Sequence, residues 1–536
     1  MADAIERRII DLQESATLAA GAFVAVDSAT HGTRKYDLGT LVASMGGGGL
    51  VRDDDTGEYT NESIAAWLAA RGDGLAYGVS VPKGSATACT KLGANAGMAA
   101  PTPGWVGHPA IDPYVGVGPF RHYDVNGYED EDGTQHVTAF EGDGHFRRDG
   151  SNGDVWELAP VLWTREDAGE EAVERWVSDT RRSGMSAQPH AYLPDGSLRP
   201  YMLYAKYPGV RGEDGYMHSY SGFECWIRNV SHNSLITQCR NATTGYSGKS
   251  VADDWYVKTM FLLKYGTKNS QGVFAGCSSY YLDYQPTVAE TGVTRVIIAK
   301  ASAANLVVGS SVSLGSARSS DSVLGSTRIL RIEDYDESNS AVYLDVSATF
   351  DTTTDLHLST MPWRAGCLDA VEGDGAISQA GRTNGEEPFV LQGIELMHGM
   401  TEVLGDVIIS NDGTSGWVPY VCHDSRYAAT SLNDHYTSCG AALPTDSTDS
   451  WKYPTHAETH EGLMYGTDTG ASTSTGLCDG HYTNKLETVG TREWLSLGSL
   501  DGGGGAGLWY VNGSIGLGHA WWSIGSRLSG TGRSRG

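Results

Sequence analysis

The sequence predicts a mainly β protein with additional α+β elements, and three observations support this fold class. Glycine contributes 70 of the 536 residues, about twice its average share. Charged residues make up 19%, which is below the usual quarter. Short runs rich in β-branched and aromatic residues alternate with Gly, Pro, Asn and Asp turns, whereas helical periodicity is rare. A chain of this length exceeds one ordinary core, so we expect about two to four structural units.

The charge balance and the apolar pattern restrict the partners. A formal net charge of −27 argues against nucleic acid, because phosphate binding needs clustered Lys and Arg. The longest apolar stretch, Ala16–Val26, is too short to cross a bilayer, so no membrane insertion is expected. The opening "MADAIERRII" lacks the apolar segment of a secretory signal, which favours synthesis in a cytoplasm. The eight cysteines contain no CxxC pair, and we expect buried thiols rather than disulfides.

Residues 1–49 are predicted to be a helical oligomerisation or attachment segment that ends in a glycine linker. Apolar residues between Ala4 and Ala19 fall roughly on one helical face, and a helix this short needs a partner to bury that face. The partner is either other copies of the chain in a short stalk or the protein's own domain. The run Gly46–Gly49 marks a flexible break. A second helix is expected over Asn61–Arg71, with Asn61 as N-cap and Gly72 as C-cap.

Residues 286–360 form a distinct β-patterned block with four runs: "TRVIIAK", "NLVVGSSVSLG", "TRILRIEDYD" and "SAVYLDVSATF". Their spacing is typical of a small β-sandwich or barrel. Glycine-rich sequence continues on both sides, so we interpret the block as a module inserted between residues 50–285 and 361–536. Beyond it, residues 387–406 are predicted to form an amphipathic helix with its apolar face made of Phe389, Val390, Ile394, Met397, Val403 and Leu404.

Motifs for catalysis are weak throughout the sequence. No G-x-S-x-G nucleophile elbow lies between a strand and a helix. In "THAETH", His456 and His460 flank Glu458 in the order H-x-E-x-H, which differs from the zinc-peptidase order, and we interpret them as surface histidines. In "CHDSR" (Cys422–Arg426), neighbouring side chains on a strand point to opposite faces, so they form no triad without another segment. The sequence therefore predicts no enzyme and no cofactor, although a structural calcium ion is left open.

The last part of the chain, "GLWYVNGSIGLGHAWWSIGSRLSG" (Gly507–Gly530), is typical of a loop held on a rigid frame. A strand is predicted over Leu508–Val511 and a turn at Asn512-Gly513. Bulky aromatic residues flank the small-residue loop Ser514–Ala520, and we expect these rings to be buried anchors. The segment Arg492–Gly507 offers a second loop of the same kind. Anchored loops favour recognition because anchoring lowers the ordering cost of binding. The alternative is a plain hairpin that closes a core.

The pattern W-x-x-x-G-S…AGLWYVNG…A-x-W-x-IG-S-R-L-S resembles the C-terminal variable region of proteins diversified by retroelements in phages and bacteria. Phage major tropism determinants are members of this family, and their C-terminal domain has the C-type lectin fold that formylglycine-generating enzymes share. Tyr77–Gly97, Val155–Trp163 and Pro388–Ile408 also look similar to segments of tail or fibre proteins from phages of gut bacteria. The resemblance implies a C-type lectin-like body outside the inserted module and the N-terminal segment.

The resemblance further implies a virion adhesin, namely a tail-tip or fibre protein that binds a host-surface protein or glycan. Its other partners would be virion tail proteins and two further copies of itself in a homotrimer. The variable region would span about residues 492–530, where loops on a fixed scaffold would carry the binding residues. The expected ligand-binding residues are Leu495, Ser496, Leu497, Ser499, Leu500, Asp501, Ser514, Ile515, Leu517, His519 and Ser523. The expected scaffold residues are Trp494, Trp509, Tyr510, Trp522 and Arg527.

In that family, template-directed mutagenesis replaces adenines, mostly in Asn codons. Most of the expected contact residues are encodable from an Asn codon through its first two bases. Trp521 is not, so it is assigned to the scaffold. The glycine-rich stretch Asp501–Gly505 departs from the family pattern, which leaves the alignment of that loop open.

Two alternatives belong to other functional classes. One is an enzyme on the formylglycine-generating scaffold, with Cys422 and Cys439 as the reactive thiols. The other is a glycan-cleaving tail spike, whose paired carboxylates no motif singles out.

Overall fold

The computed structural model describes residues 23–28, 32–37, 49–130, 133–222, 228–242, 246–382, 384–397 and 399–530. Within these ranges strands greatly outnumber helices, which confirms the mainly β prediction. The stalk helix predicted near residues 4–19 lies outside the described residues. Further along, Phe23–Ser28 and Gly32–Asp37 pair as an antiparallel hairpin.

Four α-helices occur in the described ranges: α1 Asn61–Ala69, α2 His232–Ala242, α3 Val251–Tyr265 and α4 Lys300–Ala303. Helix α1 begins one residue earlier than a cap at Asn61 requires, because Thr60 is the N-cap and its side chain accepts the Ser63 N–H. The Asn61 amide instead donates to the Gln135 carbonyl over 2.9 Å. The helix ends with Ala70 as its C-cap, before the predicted Gly72. None of these helices is long and apolar enough to cross a bilayer.

Two antiparallel sheets form the first part of the body. The five-stranded sheet has the order Ser186–Ala187, Trp163–Ala168, Ala172–Ser178, Tyr77–Pro82, Thr90–Gly93. The six-stranded sheet has the order Ser247–Gly248, Leu528–Ser529, Met202–Ala205, Asp154–Ala159, Tyr123–Glu129, Gln135–Phe140. Its second strand comes from the far end of the chain, so residues on both sides of the 286–360 block share one sheet. A small hairpin, Val210–Arg211 with Met217–His218, lies beside them.

Helix α3 is the central helix of the body, and all 15 of its residues are buried. Ser250 and Asp253 form a capping box at its start, and Gly266 ends it in the left-handed region with φ +62°. Because every side of this helix is packed, its apolar residues make no stripe, which explains why periodicity did not reveal it. Its buried lysines are neutralised inside the protein; Lys264, for example, lies 2.5 Å from Asp374.

Residues 283–361 build a separate six-stranded antiparallel sheet with its own apolar core. The strand order is Asp283–Tyr284, His357–Met361, Ser311–Gly315, Leu324–Asp334, Asn339–Leu344, Arg295–Ala299, beside the short pair Glu290–Val293 and Phe350–Thr352. Each of the four predicted β runs overlaps one of these strands. The chain enters and leaves at adjacent points, because the Thr360 N–H donates to the Leu282 carbonyl over 3.0 Å.

The helix predicted over residues 387–406 is wrong, since this segment is β-structure. Phe389–Leu391 and Ile394–Leu396 pair as a hairpin, with Gly375–Ala376 beside them. Gln392 (φ +52°) and Gly393 (φ +74°) make the tight turn, a left-handed geometry that matches strand twist. Both faces of the hairpin strands are buried, so their continuous apolar run imitates the spacing of a helix.

The following long strand, Thr401–Asn411, is central to an eight-stranded sheet. The order along its main path is Tyr436–Ser438, Val418–Cys422, Thr401–Asn411, Gly490–Ser496, Val511–Gly513, His481–Thr483, Ser450–Lys452, and Ile524–Gly525 pairs parallel to Thr401–Asn411. The predicted strand Leu508–Val511 therefore begins only at Val511, and Asn512-Gly513 lies inside it rather than in a turn. A further hairpin joins Glu458–His460 to Leu463–Tyr465.

Candidate functional site

The loop Ser514–Trp522 is held mainly through its main chain. The carbonyl of Leu517 accepts the Asn233 N–H over 3.0 Å, and the carbonyl of Trp521 accepts the Asn229 N–H over 3.1 Å. Both donors lie at or just before the start of helix α2. Main-chain bonds do not depend on side-chain identity, so the loop keeps its path whichever side chains it displays.

This loop presents aromatic surface outward. Trp521 is 55% exposed, and its ring stacks beside that of His519 with centroids 6.2 Å apart and an interplanar angle of 14°. The expectation that Trp521 is a buried anchor is therefore wrong, because the chain turns this ring to solvent while its neighbour Trp522 packs inward. Exposed aromatic rings on a fixed loop are frequent in binding surfaces.

The inserted module and the segment just before it contribute to the same surface. Trp522 stacks on Tyr281 with centroids 5.2 Å apart, and the Arg318 guanidinium lies 3.4 Å from the centroid of the Tyr281 ring. The Tyr281 hydroxyl also bonds Ser319 over 3.2 Å. Sequence reasoning missed Tyr281 and Arg318, because they lie about 200 residues or more upstream in segments that carried no functional motif.

The second predicted loop adjoins the same segment of the chain. Leu500 packs with Cys277 and Tyr280 in one apolar cluster, and its carbonyl accepts the Tyr280 N–H over 3.0 Å. Asp501 is exposed and accepts the Ser499 hydroxyl over 2.6 Å. Both loops therefore rest against residues 277–281, as parts of one surface would.

Six of the expected contact residues are buried and cannot meet a ligand that stays outside the fold: Leu495, Ser496, Leu497, Leu500, Leu517 and Ser523. Ser496 shows the reason, since it accepts from the Lys249 ammonium over 3.0 Å and donates to the Glu402 carbonyl over 3.0 Å. Strand Gly490–Ser496 lies inside the eight-stranded sheet, where both faces are covered. The five that reach the surface are Ser499, Asp501, Ser514, Ile515 and His519.

Below the loop lies a chain of buried ion pairs. Arg527 and Lys249 contact Glu402 over 2.7 and 3.1 Å, and Asp254 contacts Lys249 and Lys258 over 3.3 and 2.5 Å. Burial acts to raise the pKa of Glu402, but the two cations outweigh it and hold the pKa below its ordinary value. Because an unpartnered buried charge is costly, the network fixes the last strand onto helix α3.

The scaffold aromatics complete this frame. Trp494, Trp509 and Tyr510 are buried, and Trp522 is half-buried. The Trp509 indole donates to the Lys268 carbonyl over 2.8 Å, and its ring centroid lies 5.5 Å from the Lys258 ammonium. These contacts anchor the loop independently of its exposed tips.

The glycine-rich stretch before Trp509 is packed tightly in place. Gly503–Gly505 form a short 3-10 turn. At Gly507 (φ +146°) an added Cβ would collide with the Asp479 carboxylate. That carboxylate accepts the Trp509 N–H over 2.9 Å. Glycine at 507 therefore lets the backbone approach a buried acid that fixes the frame.

The thiol, imidazole and carboxylate of "CHDSR" engage different partners. The Cys422 thiol lies 3.1 Å from the Asp424 carbonyl, the His423 ring lies 3.2 Å from Glu461, and the Asp424 carboxylate binds Arg426. The second cysteine proposed for an enzyme, Cys439, is buried, and burial raises its pKa to about 12. A thiolate, the reactive form, is therefore scarce at Cys439 near neutral pH.

The histidines of "THAETH" also have local partners. His456 lies 3.4 Å from Glu458 and 3.3 Å from Asp468, while His460 lies on the hairpin strand Glu458–His460. Within the part of the chain that the structure describes, no three or more His, Cys, Asp or Glu side chains are grouped to hold a metal ion.

Comparison of the sequence with protein-family models and with curated proteins gives no match in either case.

Proposed function

We propose that the protein is a phage virion adhesin, a tail-tip or fibre component that binds a host-surface receptor through its C-terminal loops. The body would be a C-type lectin-like domain that carries the 286–360 module as an insertion. The shared sheet and the adjacent entry and exit of the module support this organisation.

One observation carries the proposal: an exposed loop with replaceable tips stands on a frame that does not depend on those tips. His519 and Trp521 face solvent, whereas the frame below is made of buried ion pairs, buried rings and main-chain hydrogen bonds. Substitutions at such tips usually cost less than about 0.5 kcal/mol. Receptor specificity can therefore change without loss of the fold, which is the property that diversification requires.

The proposed receptor surface combines the exposed residues of both loops with neighbours from the inserted module and from the segment just before it. Its members are Ser499, Asp501, Ser514, Ile515, His519, Trp521, Tyr281 and Arg318. Assembly as a homotrimer through residues 1–49 would present three such surfaces on one particle, and linked weak sites gain avidity about a hundredfold or more. Deleting residues 1–49 should then give a folded monomer that binds more weakly, whereas a deletion variant that remains trimeric would contradict that assembly.

The coding locus provides the first test. We expect a near-copy of the last part of the coding sequence beside a reverse-transcriptase gene, with differences concentrated where the copy carries adenine. The differing codons should fall on the exposed positions, such as 499, 514 and 519, more often than on the buried positions 495 and 497. Absence of a copy would overturn diversification, and differences concentrated on buried codons would contradict the proposed surface.

Binding is tested separately with fluorescent protein and cells of the phage host. Trp521→Ala should reduce cell binding by more than about tenfold, the size of a hot-spot loss. Tyr335→Ala is the matched control, since this tyrosine is 42% exposed on the inserted sheet and lies outside the proposed surface. Equal binding by both variants would overturn the site.

A further inference from the structure

A cleft of about 560 Å³ opens on a different part of the molecule. It lies between the edge of the five-stranded sheet and the hairpin of Glu458–His460 and Leu463–Tyr465. The volume is within the range of small-molecule sites, about 300–1,000 Å³. Its lining includes the acids Glu166, Glu458 and Glu461, the histidines His190 and His423, and the hydroxyl residues Thr164 and Tyr192. No residue of the loop Ser514–Trp522 is among its lining residues.

The carboxylates of the cleft have basic partners close by. Glu166 pairs with Arg175, and Glu458 lies 2.7 Å from the Lys83 ammonium. Glu461 faces the His423 ring over 3.2 Å. Little unbalanced charge remains, so the cleft has no strong preference for an anionic or a cationic ligand. An apolar ligand is also disfavoured, because it would desolvate these polar groups without replacing their bonds to water.

Two imidazole rings are fixed in the wall of the cleft. His190 and His423 meet edge to face with centroids 5.7 Å apart. His190 has φ +59° and Glu461 has φ +50°, which are left-handed conformations uncommon in residues other than glycine. The surrounding fold maintains both, and such conformations concentrate at ligand sites. The Glu461 carboxylate, whose side chain is 40% exposed, is thus an acceptor held at a set position in the wall.

The rim of the cleft adds an aromatic surface. Tyr192 is 38% exposed, so one part of its ring is packed and another faces solvent. Thr164 supplies a neighbouring hydroxyl. An exposed tyrosine ring beside fixed donors and acceptors matches a ligand that has both apolar C–H faces and many hydroxyl groups.

From this combination we infer that the cleft binds a neutral oligosaccharide. Hydroxyl groups of the sugar donate to the carboxylate of Glu461 and accept from the hydroxyl of Thr164, while one sugar ring covers Tyr192. The inference does not depend on the proposed function, because the cleft and the C-terminal surface share no residue used in either argument.

The test uses the full chain and saturation-transfer NMR with maltohexaose, cellohexaose and mannohexaose. At least one of these neutral hexasaccharides should bind, and Tyr192→Ala should weaken that binding by about three- to tenfold. Tyr335→Ala serves as the control with a similarly exposed ring, and Trp521→Ala should leave hexasaccharide binding unchanged.

Three results would overturn the inference: no binding of any neutral hexasaccharide, equal loss in the two tyrosine variants, or preferential binding of oligogalacturonate or oligolysine. Loss of host-cell binding in Trp521→Ala together with unchanged hexasaccharide binding would separate the two sites. Because Tyr192 is partly exposed, Tyr192→Ala should remain folded, which circular dichroism checks.

Discussion

Two serines of the C-terminal region illustrate the difference between frame and tip at the level of single residues. Ser496 is buried between Lys249 and Glu402, whereas Ser514 is half-exposed and bonds only within its own turn through Asn512. Both are serines on neighbouring elements, so they provide a matched pair.

We expect Ser496→Ala to lower the free energy of unfolding by about 1–3 kcal/mol, because a buried ammonium and a buried carbonyl each lose a hydrogen bond. Ser514→Ala should change it by less than about 0.5 kcal/mol. Urea unfolding of both variants measures the difference. A similar cost for the two substitutions would contradict the division into frame and tip.

A second residue-scale prediction concerns pH. His218 lies between Asp154 and Asp214, with contacts of 3.2 and 3.0 Å. Burial opposes protonation of this ring, but the two carboxylates outweigh burial and raise its pKa to about 9. A pKa raised in the folded state contributes stability that is fully present below the unfolded pKa of about 6.5. This contribution is lost as pH rises through the pKa of the folded state.

Relative to His218→Gln, the wild-type protein should therefore lose up to about 3 kcal/mol of unfolding free energy between pH 6.5 and pH 9 or slightly above. Urea unfolding at several pH values measures it. The variant is the control, since all other groups titrate in both proteins. A pH profile that is the same for both would show that His218 is not held protonated.

At the scale of elements, alanine substitution at two glycines of the C-terminal segment should differ strongly in its cost to stability. Gly507→Ala forces a Cβ against the Asp479 carboxylate at a positive φ, whereas Gly516 has open space around its Cα. We expect a loss of about 2 kcal/mol or more for Gly507→Ala and less than about 0.5 kcal/mol for Gly516→Ala. Thermal unfolding distinguishes them, and equal stability would indicate that the 502–507 turn is not rigid.

Sequence patterns revealed elements that have one polar face and missed those that have none. Each of the four β runs between residues 294 and 350 overlaps a strand, and helix α1 was found to within about two residues at its ends. Helix α3 was missed because all of its sides are buried, and residues 387–406 were mistaken for a helix for the same reason. In both cases tertiary burial removed the alternation on which periodicity depends.

The candidate site was predictable only in part. The buried aromatic frame and the loop of small residues follow from composition, although the turn predicted at Asn512-Gly513 lies within a strand. The sequence could not show that Trp521 faces outward while Trp522 packs on Tyr281, because adjacent aromatic residues look alike in a pattern. Nor could it place Arg318 beside the loop, since that contact depends on how the inserted sheet is placed.

At the scale of the whole molecule, the 286–360 module should be removable. Its ends meet where the Thr360 N–H donates to the Leu282 carbonyl, and its core is separate. Replacing Asp283–Ser359 by a short Gly-Ser linker should leave the remaining body folded with one cooperative transition. The excision removes Ser310, so the Tyr280 hydroxyl loses its 2.9 Å hydrogen bond to that side chain.

Circular dichroism and urea unfolding of the excised protein provide the measurement, with the isolated module as the companion sample. Both parts should unfold cooperatively by themselves. An excised protein without a cooperative transition would show that the two cores stabilise each other and that the block is not an independent insertion.

The position of Leu528–Ser529 affects how this protein is made. The strand pairs with Tyr204 on one side and with Ser247 and Gly248 on the other, so a ribosome must translate nearly 300 further codons before that sheet can close. Until then the nascent chain exposes two unpaired strand edges, which are prone to aggregation and attract chaperones. A prematurely terminated chain that lacks residues 528–529 would keep those edges open, so quality control can recognise and degrade it before it enters an assembly.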